Sequence, residues 1–565
     1  MITISREKAV ACKQSGWWGE ESTNDLFKKH VAAKPQQLAL VDPPNTMAIY
    51  GREPKRLSWA EAEGMVARYT AMFVKHGLKK DDALIVQMPN CVELSIVYLA
   101  CARLGVIASP VPALYRDNEL INIAEQLAAK AIITASRIGK YDHESLALRL
   151  QQKNPSIVKV FCIGDIDSSV EIVDVEKALD SLNQEDLAAA SAAINESAVL
   201  ADEVFTVCWT SGTESSPKGV PRNHNEWLAI SRIVVVANEV GDGAHILNPF
   251  PMVNMAGFAA SFYPWLLSGG VLVQHHPFDL NLFIQQIRDE NITSTSAPPA
   301  VLNLLLQNEE MLHGIDFKLL KTIGSGSAPL SEWMVKGYQD KFNVCITNLF
   351  GSNEGTALVS SLQTIPDPVL RAKYLPRPLE GGESASRYGF ITRIVNPDTE
   401  EEITKTGEVG ELRIKGPTVF SGYWKNPEAT RCAFDTEGWF KTGDLFQISG
   451  EQQEFLQFSS RLKDILIRGG MNISPVEIET LLLAHPVITA AAVVGLPDKI
   501  LGERVCAFVE IKKGHSADID AINTFLREEK GLAVFKQIER LEVVDALPRN
   551  PVGKVLKTIL REELV

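Results

Sequence analysis

Apolar and polar positions repeat with two different periods along about the first four hundred residues. Short β-rich apolar runs, such as DALIVQM, AIITAS, VKVFCIG and VFTVCWT, are separated by longer stretches with a helical repeat, such as AEGMVARYTAMFVKHG and NLFIQQIRDENI. These patterns predict buried strands and amphipathic helices respectively. Because strands that alternate with helices form mainly parallel sheets covered by helices, this part of the chain predicts an α/β fold.

The pattern changes from GEVGELRIKGPTVFSGYWKNPEA onward to short strands with many turns. We expect a compact β-rich subdomain here, at about residues 365–460, which completes a large N-terminal domain over residues 1–460. After SSRLKDILIRGG the helix and strand patterns return and continue to the C-terminus. The sequence therefore predicts a second, smaller α+β domain over residues 464–565.

Composition narrows the class of protein. The chain has 565 residues, 45% of them hydrophobic and 22% charged, as in ordinary globular proteins. Its net charge of −14 argues against general affinity for nucleic acid or an anionic membrane. The apolar stretch LSIVYLACARLGVIASPVPAL contains Arg103, which favours a buried helix leading into a strand over a membrane span.

The N-terminal sequence and the cysteines indicate the cellular compartment in which we expect the protein. The first residues, MITISREKAVACKQSG, carry charges where a signal peptide has its apolar core. The eight cysteines form no C-x-x-C pair and do not cluster with histidine, so neither zinc nor a disulfide framework is indicated. We expect a cytoplasmic protein with reduced thiols.

The stretch TSGTESSPKG, residues 210–219, has the composition of a loop that surrounds phosphate. Small residues let backbone N–H groups converge on an anion, and hydroxyls and a lysine supply further donors. Pro217 precedes Lys218, and Pro221 follows, so a helix is expected only from near Asn225, unlike in a kinase or GTPase loop. Taken alone, the stretch is equally consistent with a solvated turn.

Five more glycine-containing stretches follow in the chain: GSGSAPL, NLFGSNEG, WFKTGDL, RLKDILIRGGMNISPVEIE and LPRNPVGKVLK. Together with TSGTESSPKG, and in this order, they resemble the adenylate-forming superfamily of acyl-CoA synthetases, carrier-protein adenylation domains and luciferases. The similarity spans most of the chain. The resemblance implies that the small C-terminal domain is mobile and rotates about a hinge near residues 461–463, at Lys463.

The resemblance also implies an ATP site built from six motifs. Its residues would be Thr210, Ser211, Gly212, Thr213, Lys218, Gly326, Ser327, Ala328, Phe350, Gly351, Asn353, Asp444 and Arg461. In this site Phe350 would stack on adenine and Asp444 would accept the ribose hydroxyls. The chain departs from the usual motif at Glu214 and Ser215, where a Thr-Gly pair is more common, at Asn353, where threonine is usual, and at Ser460, where glycine is usual.

The same resemblance implies the groups that act on the reaction. Lys554, Thr213 and Glu354 would be catalytic, and Glu354 would also hold Mg²⁺ near the phosphates, a hard cation matched to hard oxygen. Lys554 would bring positive charge to the α-phosphate and the substrate carboxylate. By itself, a lysine near a C-terminus is usually a surface residue.

Two further sites are implied for the other substrates. Gly469 and Gly470 would line a tunnel for the pantetheine arm of CoA, although a glycine pair is also an ordinary bend. Asn254, Met255 and Phe258, together with the stretch from Gly324 to Ser327, would line the acyl pocket. The family often has histidine in place of Asn254. Met255 and Phe258 favour an apolar acyl group, although both residue types are core residues by default.

These implications predict an ATP-dependent acid:CoA ligase whose substrates are a small carboxylic acid, ATP and CoA, with Mg²⁺ as cofactor. The acid is expected to be apolar, with a medium-chain fatty acid as the first candidate and alicyclic or aromatic acids also considered. The alternatives are transfer to the pantetheine of a carrier protein in trans, a non-catalytic acyl-nucleotide sensor on the same fold, and luciferase-like oxidation. The oligomeric state is left open, with a homodimer among the options.

Overall fold

The protein has a mixed α/β architecture, as seen in a computed structural model that describes residues 1–166, 172–196, 198–210, 217–469, 471–550 and 554–564. The predicted fold class is confirmed, with parallel sheets and helices in the large N-terminal part and a smaller C-terminal unit. The predicted runs DALIVQM and VFTVCWT form strands Ala83–Gln87 and Val204–Thr210. The helical pattern beginning at residue 62 lies in helix Trp59–Lys75.

Two mainly parallel sheets form the bulk of the described chain. The central sheet has eight strands in the spatial order Ala357–Ser360, Cys345–Gly351, Thr322–Gly326, Ser294–Ser296, His245–Asn248, Val271–Gln274, Leu38–Val41 and Arg56–Ser58. The second sheet has seven, in the order Lys218–Asn223, Val204–Thr210, Ile107–Pro110, Ala83–Gln87, Ala131–Ala135, Lys159–Ile163 and Ile172–Asp174. Short strands Arg137–Ile138 and Tyr141–Asp142 pair separately.

Helices connect and cover these strands. In the large part of the chain they are Arg6–Gln14, Thr23–Ala33, Thr46–Tyr50, Trp59–Lys75, Val92–Leu104, Asp117–Leu127, His143–Lys153, Val175–Asp180, Gln184–Glu196, His224–Ala237, Met255–Gly257, Tyr263–Ser268, Leu280–Asp289, Pro299–Gln307, Glu332–Phe342, Pro368–Lys373, Glu383–Tyr388 and Pro427–Ala433. A π-helix spans Phe258–Phe262, and a 3₁₀ turn spans Glu309–Leu312.

The largest core lies between the two sheets. It joins Leu84 and Ile133 of the second sheet to Ile246 and Leu272 of the central sheet. Helix Val92–Leu104 belongs to this core and is buried along its whole length, as expected from its apolar sequence. Its two charged residues are paired, since Arg103 Nη2 lies 2.5 Å from Glu63 Oε2 and Glu93 pairs with Lys55. The opposite face of the central sheet packs a separate core around Leu247, Ile323 and Ile346.

An antiparallel six-stranded sheet follows the central sheet in the chain. Its strands are, in spatial order, Tyr374–Pro376, Phe455–Arg461, Phe440–Ser449, Val409–Lys415, Ile391–Val395 and Glu402–Ile403. This sheet occupies the segment where short strands and turns predicted a β-rich subdomain. The 3₁₀ turn Leu462–Asp464 comes directly after its last strand, at the proposed hinge. The proposed domain limits themselves stay a prediction.

The C-terminal unit has its own sheet and core. Its strands are Met471–Ile473, Leu466–Arg468, Gly502–Ile511, Ile488–Asp498 and Arg540–Val543, and its helices are Pro475–Leu483, Ile519–Thr524 and Lys557–Glu562, with a π-helix at Phe525–Glu529 and a 3₁₀ turn at Val534–Lys536. Among the described residues, no helix has both the length and the apolar composition needed to cross a membrane.

Candidate active site

The phosphate loop predicted from TSGTESSPKG connects two antiparallel strands of the second sheet. Thr210 ends strand Val204–Thr210, and Lys218 begins strand Lys218–Asn223, with the two residues paired in register. The Thr210 hydroxyl donates to the Lys218 carbonyl at 3.4 Å. Lys218 thus opens a strand, and the next helix begins at His224, close to the expected start near Asn225. The proposed phosphate ligands Ser211, Gly212 and Thr213 lie outside the described residues.

A tyrosine lies between Lys218 and Glu354. The Tyr423 hydroxyl donates to Glu354 Oε1 at 3.1 Å, and Lys218 Nζ lies 5.3 Å from the centroid of the Tyr423 ring. Burial, together with the charge of Glu354, raises the pKa of Tyr423, so the hydroxyl stays a neutral donor. Lys218, the proposed phosphate ligand, and Glu354, the proposed metal ligand, therefore both lie next to the Tyr423 side chain.

Glu354 has the chemistry that Mg²⁺ requires. One of its oxygens accepts the Tyr423 hydroxyl, and Oε2 makes no hydrogen bond to any described residue. A carboxylate oxygen is a hard donor suited to Mg²⁺, which commonly takes one or two protein carboxylates and completes its shell with phosphate and water. The chain positions Glu354 through its backbone, because Phe420 N–H donates to the Glu354 carbonyl at 2.9 Å. Gly355 has φ +118°, and a Cβ there would collide with the Thr418 carbonyl.

The segment 416–424 that supports Glu354 is held by two further cations that sequence reasoning missed. Lys8, from the N-terminal helix Arg6–Gln14, donates from Nζ to the Val419 carbonyl at 2.6 Å and to Ser421 Oγ at 3.1 Å. Arg222 is fully buried and donates from Nη2 to the Thr418 carbonyl at 2.8 Å. Burial lowers the pKa of both groups. No local pattern signals them, since a lysine in a polar N-terminal helix and an arginine in a strand have no distinctive spacing.

The opposite side of the site combines charges from both parts of the chain. Asp444 and Arg461 pair in register on adjacent strands of the antiparallel sheet, with Arg461 Nε 3.4 Å from Asp444 Oδ1. Lys554, from the C-terminal unit, is close enough to interact electrostatically with both, and Lys463 and Glu354 also act on Asp444. Arg461, Lys554, Glu354 and Lys463 thus all act electrostatically on Asp444, and Arg461 is in direct contact with it.

Burial perturbs the two central groups of this cluster. It raises the pKa of Asp444 to about 6, against the lowering effects of Arg461 and Lys554. It lowers the pKa of Lys554 to about 8, with Arg461 acting in the same direction and Asp444 in the opposite one. Strongly perturbed titratable groups that face each other are typical of functional sites.

Lys554 is held by a short turn. Its backbone N–H donates to Asn550 Oδ1 at 2.8 Å, and Asn550 N–H donates to the Lys554 carbonyl at 2.8 Å. An isolated bridge between Arg549 and Val555 closes the turn on either side. The backbone that carries Lys554 is thus tied at both ends, which limits where its flexible side chain can reach.

The proposed adenine-binding turn has a constrained backbone. Ser327 has φ +70°, which is unusual for a residue other than glycine and is found preferentially at functional sites. A Cβ at Gly326 would collide with the Leu349 carbonyl of the adjacent strand. Ser327 and Ala328 are exposed. The backbone of this turn is therefore accessible to solvent. The ring of Phe350, in contrast, packs against Phe446, with ring centroids 5.0 Å apart.

The proposed acyl-pocket residues differ in their surroundings. Asn254 caps the short helix Met255–Gly257 by accepting from Ala256 N–H at 3.0 Å. Asn353 Oδ1 accepts from Met255 N–H at 2.9 Å and so joins the nucleotide motif to this helix. Met255 also lies beside Gly351, whose Cβ position is 3.7 Å from Met255 Cγ. Phe258 is fully buried, stacked on Trp227 with centroids 5.0 Å apart, which makes it a core residue in this structure.

The proposed CoA-tunnel residue Gly469 is exposed and follows strand Leu466–Arg468 of the C-terminal unit, where Ile467 and Met471 point to opposite faces of the strand pair. Its φ is +55°, and its N–H donates to the Leu501 carbonyl at 2.7 Å. Ile467, Met471 and Ile500 around it are 55%, 51% and 90% exposed. Gly470 lies outside the described residues.

The fold combines a large α/β part with a small C-terminal unit, and charged residues of both parts act on one another. The chain belongs to the AMP-binding enzyme family, whose model matches residues 27–424, more than half of the chain. The model of the AMP-binding enzyme C-terminal domain matches residues 477–554. The resemblance to adenylate-forming enzymes is thereby confirmed.

Curated relatives cover nearly the whole chain at low identity. The medium-chain fatty-acid–CoA ligase of Escherichia coli (strain K12) is 28% identical over 100% of this chain and 94% of its own length. Pyochelin synthase PchD of Pseudomonas aeruginosa (strain UCBPP-PA14) is 29% identical over 97% of this chain and 94% of its own length.

Solved structures share the fold over almost the full length. The crystal structure of ATP-bound MatB from Rhodopseudomonas palustris matches with a TM-score of 0.78 at 25% identity, covering 96% of this chain and 99% of that one. The anthranilate CoA ligase AuaEII in complex with anthranoyl-AMP matches with a TM-score of 0.80 at 18% identity, covering 96% and 97%, and supports the fold alone.

Proposed function

We propose that the protein is an ATP-dependent acid:CoA ligase that forms an acyl adenylate and then a thioester. The observation that carries this proposal is the cluster in which Lys554 of the C-terminal unit joins Asp444, Arg461 and Glu354. A cluster of this kind suits a nucleotide whose ribose and phosphates lie between the two parts of the chain. The names of the relatives from Escherichia coli and Pseudomonas aeruginosa are in line with acid activation.

In the first step the substrate carboxylate oxygen attacks the α-phosphorus of ATP. A new P–O bond forms, the bond to the β-phosphate oxygen breaks, and pyrophosphate leaves. Such transfers depend on positioning and on neutralising charge. Lys554 and Lys218 supply positive charge, Asp444 accepts the ribose hydroxyls, and Glu354 would hold Mg²⁺, which when bound neutralises part of the phosphate charge. Thr213 is proposed as a further donor to the phosphates.

In the second step the thiol sulfur of CoA attacks the acyl carbon. The C–O bond to AMP breaks, AMP leaves with the electron pair, and the thiol proton goes to solvent. Lys554 must leave the site for the thiol to enter, so we propose rotation at Lys463. The exposed apolar side chains near Gly469 support this proposal, because apolar side chains that are exposed in one arrangement are available for packing in another.

The acid is proposed to be apolar in its main part, with a medium-chain fatty acid as the first candidate. Met255 lies beside Gly351 at the end of the proposed nucleotide motif, where the acyl group would begin. The alternative is an adenylating ligase that loads an acyl or aryl acid onto a carrier-protein pantetheine in trans. We retain this alternative because one relative of the chain is named pyochelin synthase PchD.

A panel of carboxylic acids, assayed for ATP-dependent pyrophosphate release with and without CoA, tests the proposal. We expect release with at least one acid, AMP as the second product, and CoA consumption equal to the acid consumed. No release with any acid in the presence of ATP and Mg²⁺ would refute acid activation. Release that proceeds to thioester only when a pantetheinylated carrier protein replaces CoA would select the alternative.

A further inference from the structure

A row of polar side chains crosses the central sheet on the face that packs against helix His224–Ala237. We call it the polar row, and its members come from five adjacent parallel strands: Gln274, Asn248, Ser296, Gly324 and Thr347. Asn248 pairs with Gln274, Ser296 with Gly324, and Gly324 with Thr347. The register of Leu247 with Thr295 places the next residues, Asn248 and Ser296, side by side. Residues paired in this way point to the same face of a sheet.

The polar row is buried, and three of its oxygens are unpaired. Asn248 Oδ1, Ser296 Oγ and Thr347 Oγ1 have no hydrogen-bond partner among the described residues, although these residues are 0%, 5% and 0% exposed. Asn238 Oδ1, at the end of helix His224–Ala237, is a fourth unpaired oxygen. Buried polar atoms in native proteins nearly always have partners, and leaving one unpaired costs about 1–3 kcal/mol. Three of these atoms, those of Asn248, Ser296 and Thr347, lie on one face of the sheet and are available as hydrogen-bond acceptors.

Two of these side chains, Ser296 and Asn238, meet at Gly324. A Cβ at Gly324 would be 2.5 Å from Ser296 Oγ and 3.4 Å from Asn238 Nδ2. The absence of a side chain at Gly324 is what allows these two groups to approach. Thr322, two residues earlier on the same face, ties the end of the helix down by donating from Oγ1 to the Asn238 carbonyl at 2.6 Å.

The polar row lies near the proposed adenine turn and the proposed acyl-pocket helix. Gln274, Asn248 and Ser296 are the last residues of their parallel strands, and the carboxyl ends of strands are the usual ligand side of an open α/β sheet. Gly324 precedes Gly326 of the proposed adenine turn by two residues on the same face, a distance of about 7 Å at the rise of a strand. The π-helix Phe258–Phe262, which continues the proposed acyl-pocket helix, contacts the strands of Asn248 and Ser296. Helices of this type often occur at functional sites.

We propose that the polar row receives a neutral hydrogen-bond donor on the far part of the acyl substrate, such as a hydroxyl or an amide or aromatic N–H. This inference rests on the proposed function and narrows its substrate class. The two asparagine Oδ1 atoms can only accept, so they select a donor. No member of the row carries a charge to pair with an ionised group, and a buried ion without a partner is strongly disfavoured. The inference thus narrows the first candidate from a plain medium-chain fatty acid to an apolar acid, such as a fatty acid, that carries one such donor.

Matched pairs of acids test this inference on the full-length protein. The pairs are octanoate with its ω-hydroxy derivative, and benzoate with each of its monohydroxy and monoamino isomers, assayed by pyrophosphate release. We expect the donor-bearing acid to exceed its parent in kcat/KM by at least about tenfold in one or more pairs, because a site built to hydrogen-bond a group rejects the analogue that lacks it. Parent acids that match or exceed their derivatives in every pair would overturn the inference.

Three variants locate the effect. Thr347→Val and Ser296→Ala remove one unpaired hydroxyl each, and we expect each to reduce the preference for the donor-bearing acid several-fold. Ser360→Ala is the matched control, because Ser360 Oγ is also buried and unpaired but pairs with Asn348 on the other face of the sheet. The preference should be unchanged in this control. Thermal unfolding should stay close to that of the parent protein in all three, since an unpaired hydroxyl contributes no hydrogen bond.

The outcomes separate this inference from the proposed function. Pyrophosphate release with a preference for the parent acids refutes the inference and leaves acid activation standing. A preference that persists undiminished in both Thr347→Val and Ser296→Ala also refutes it, because the donor is then recognised elsewhere. No release with any acid removes both proposals together.

Discussion

The nucleotide side and the acyl side of the proposed site differ in the kind of polar group that they bury. On the nucleotide side, Asp444 and Lys554 are charged groups from two parts of the chain, and burial shifts the pKa of each. On the acyl side, Asn248, Ser296 and Thr347 are neutral, come from one sheet and have unpaired oxygens. Charges suit a step in which phosphate charge moves, whereas neutral acceptors on a rigid sheet suit recognition of a group that does not react.

The strongest test of this contrast is removal of the charge that the C-terminal unit brings. Lys554→Ala should lower adenylate formation by about 10²–10³, in the range seen when one preorganised stabilising donor is removed. Conversion of supplied acyl-AMP and CoA to thioester should be largely retained, because that step does not use the lysine. The two half-reactions are measured separately, by pyrophosphate release and by thioester formation.

Lys530→Ala is the control for this variant, because Lys530 is an exposed lysine of the same C-terminal unit. It should leave both half-reactions unchanged. Equal loss of both half-reactions in Lys554→Ala would show that the lysine maintains the structure of the unit and does not act in adenylation.

The second test uses pH, which should affect the nucleotide side alone. Lys554 is charged below its pKa of about 8, so adenylation should fall as pH rises through that value, approaching tenfold per unit. Asp444 is ionised above its pKa of about 6, so the rate should also fall as pH drops below that value. The profile of kcat/KM for ATP should therefore be bell-shaped.

The preference between matched acids reports on the acyl side and should stay constant across the same pH range, because the polar row contains no group that titrates there. If the preference between matched acids changed with pH in parallel with kcat/KM for ATP, the two sides of the site would not differ in the way we propose.

The third test concerns the tyrosine that links Lys218 to Glu354. Tyr423→Phe keeps the ring beside Lys218 and removes the hydrogen bond to Glu354 Oε1. We expect the Mg²⁺ concentration for half-maximal adenylation to rise about tenfold, as for other residues that orient a metal ligand. KM for the acid should not change.

Tyr374→Phe supplies the comparison, because the Tyr374 ring stacks on Phe455 and its hydroxyl makes no hydrogen bond to a described residue. An unaltered Mg²⁺ requirement in Tyr423→Phe would mean that the hydroxyl does not position Glu354 for the metal.

The smallest expected effect is at the residue where the two sides meet. Asn353→Ala removes the acceptor of Met255 N–H and should raise KM for the acid by about two- to fivefold, with a smaller change in KM for ATP. Asn308→Ala, at an exposed asparagine, is the control. A change confined to KM for ATP would assign Asn353 to the nucleotide side alone.

Much of the fold follows from local patterns in the sequence. The apolar run before TSGTESSPKG forms a strand that ends at Thr210, and the helix after Pro221 begins at His224, because proline and small polar residues interrupt regular structure in a predictable way. The buried helix Val92–Leu104 was likewise predictable from its continuous apolar character. Nucleotide-site candidates such as Lys218, Asp444 and Lys554 came from short motifs in a fixed order.

The polar row could not be predicted in this way. Its members come from five strands spread over residues 248–347, and only Gly324 belongs to a motif that the sequence placed at the acyl pocket. The same holds for Tyr423 and Lys8, which reach Glu354 and its supporting segment from distant positions in the chain. Phe258 stays a prediction for the acyl pocket, and the tertiary structure adds that its ring stacks on Trp227.

The amino-acid sequence by itself determined the family, the order of the elements and the charged groups available for phosphate chemistry, because these depend on periodicity and on motifs of neighbouring residues. Only the tertiary structure decided which polar atoms are buried together without partners. That property depends on strand register and on which face of a sheet a residue occupies, and a shift of one residue would move the entire row to the other core.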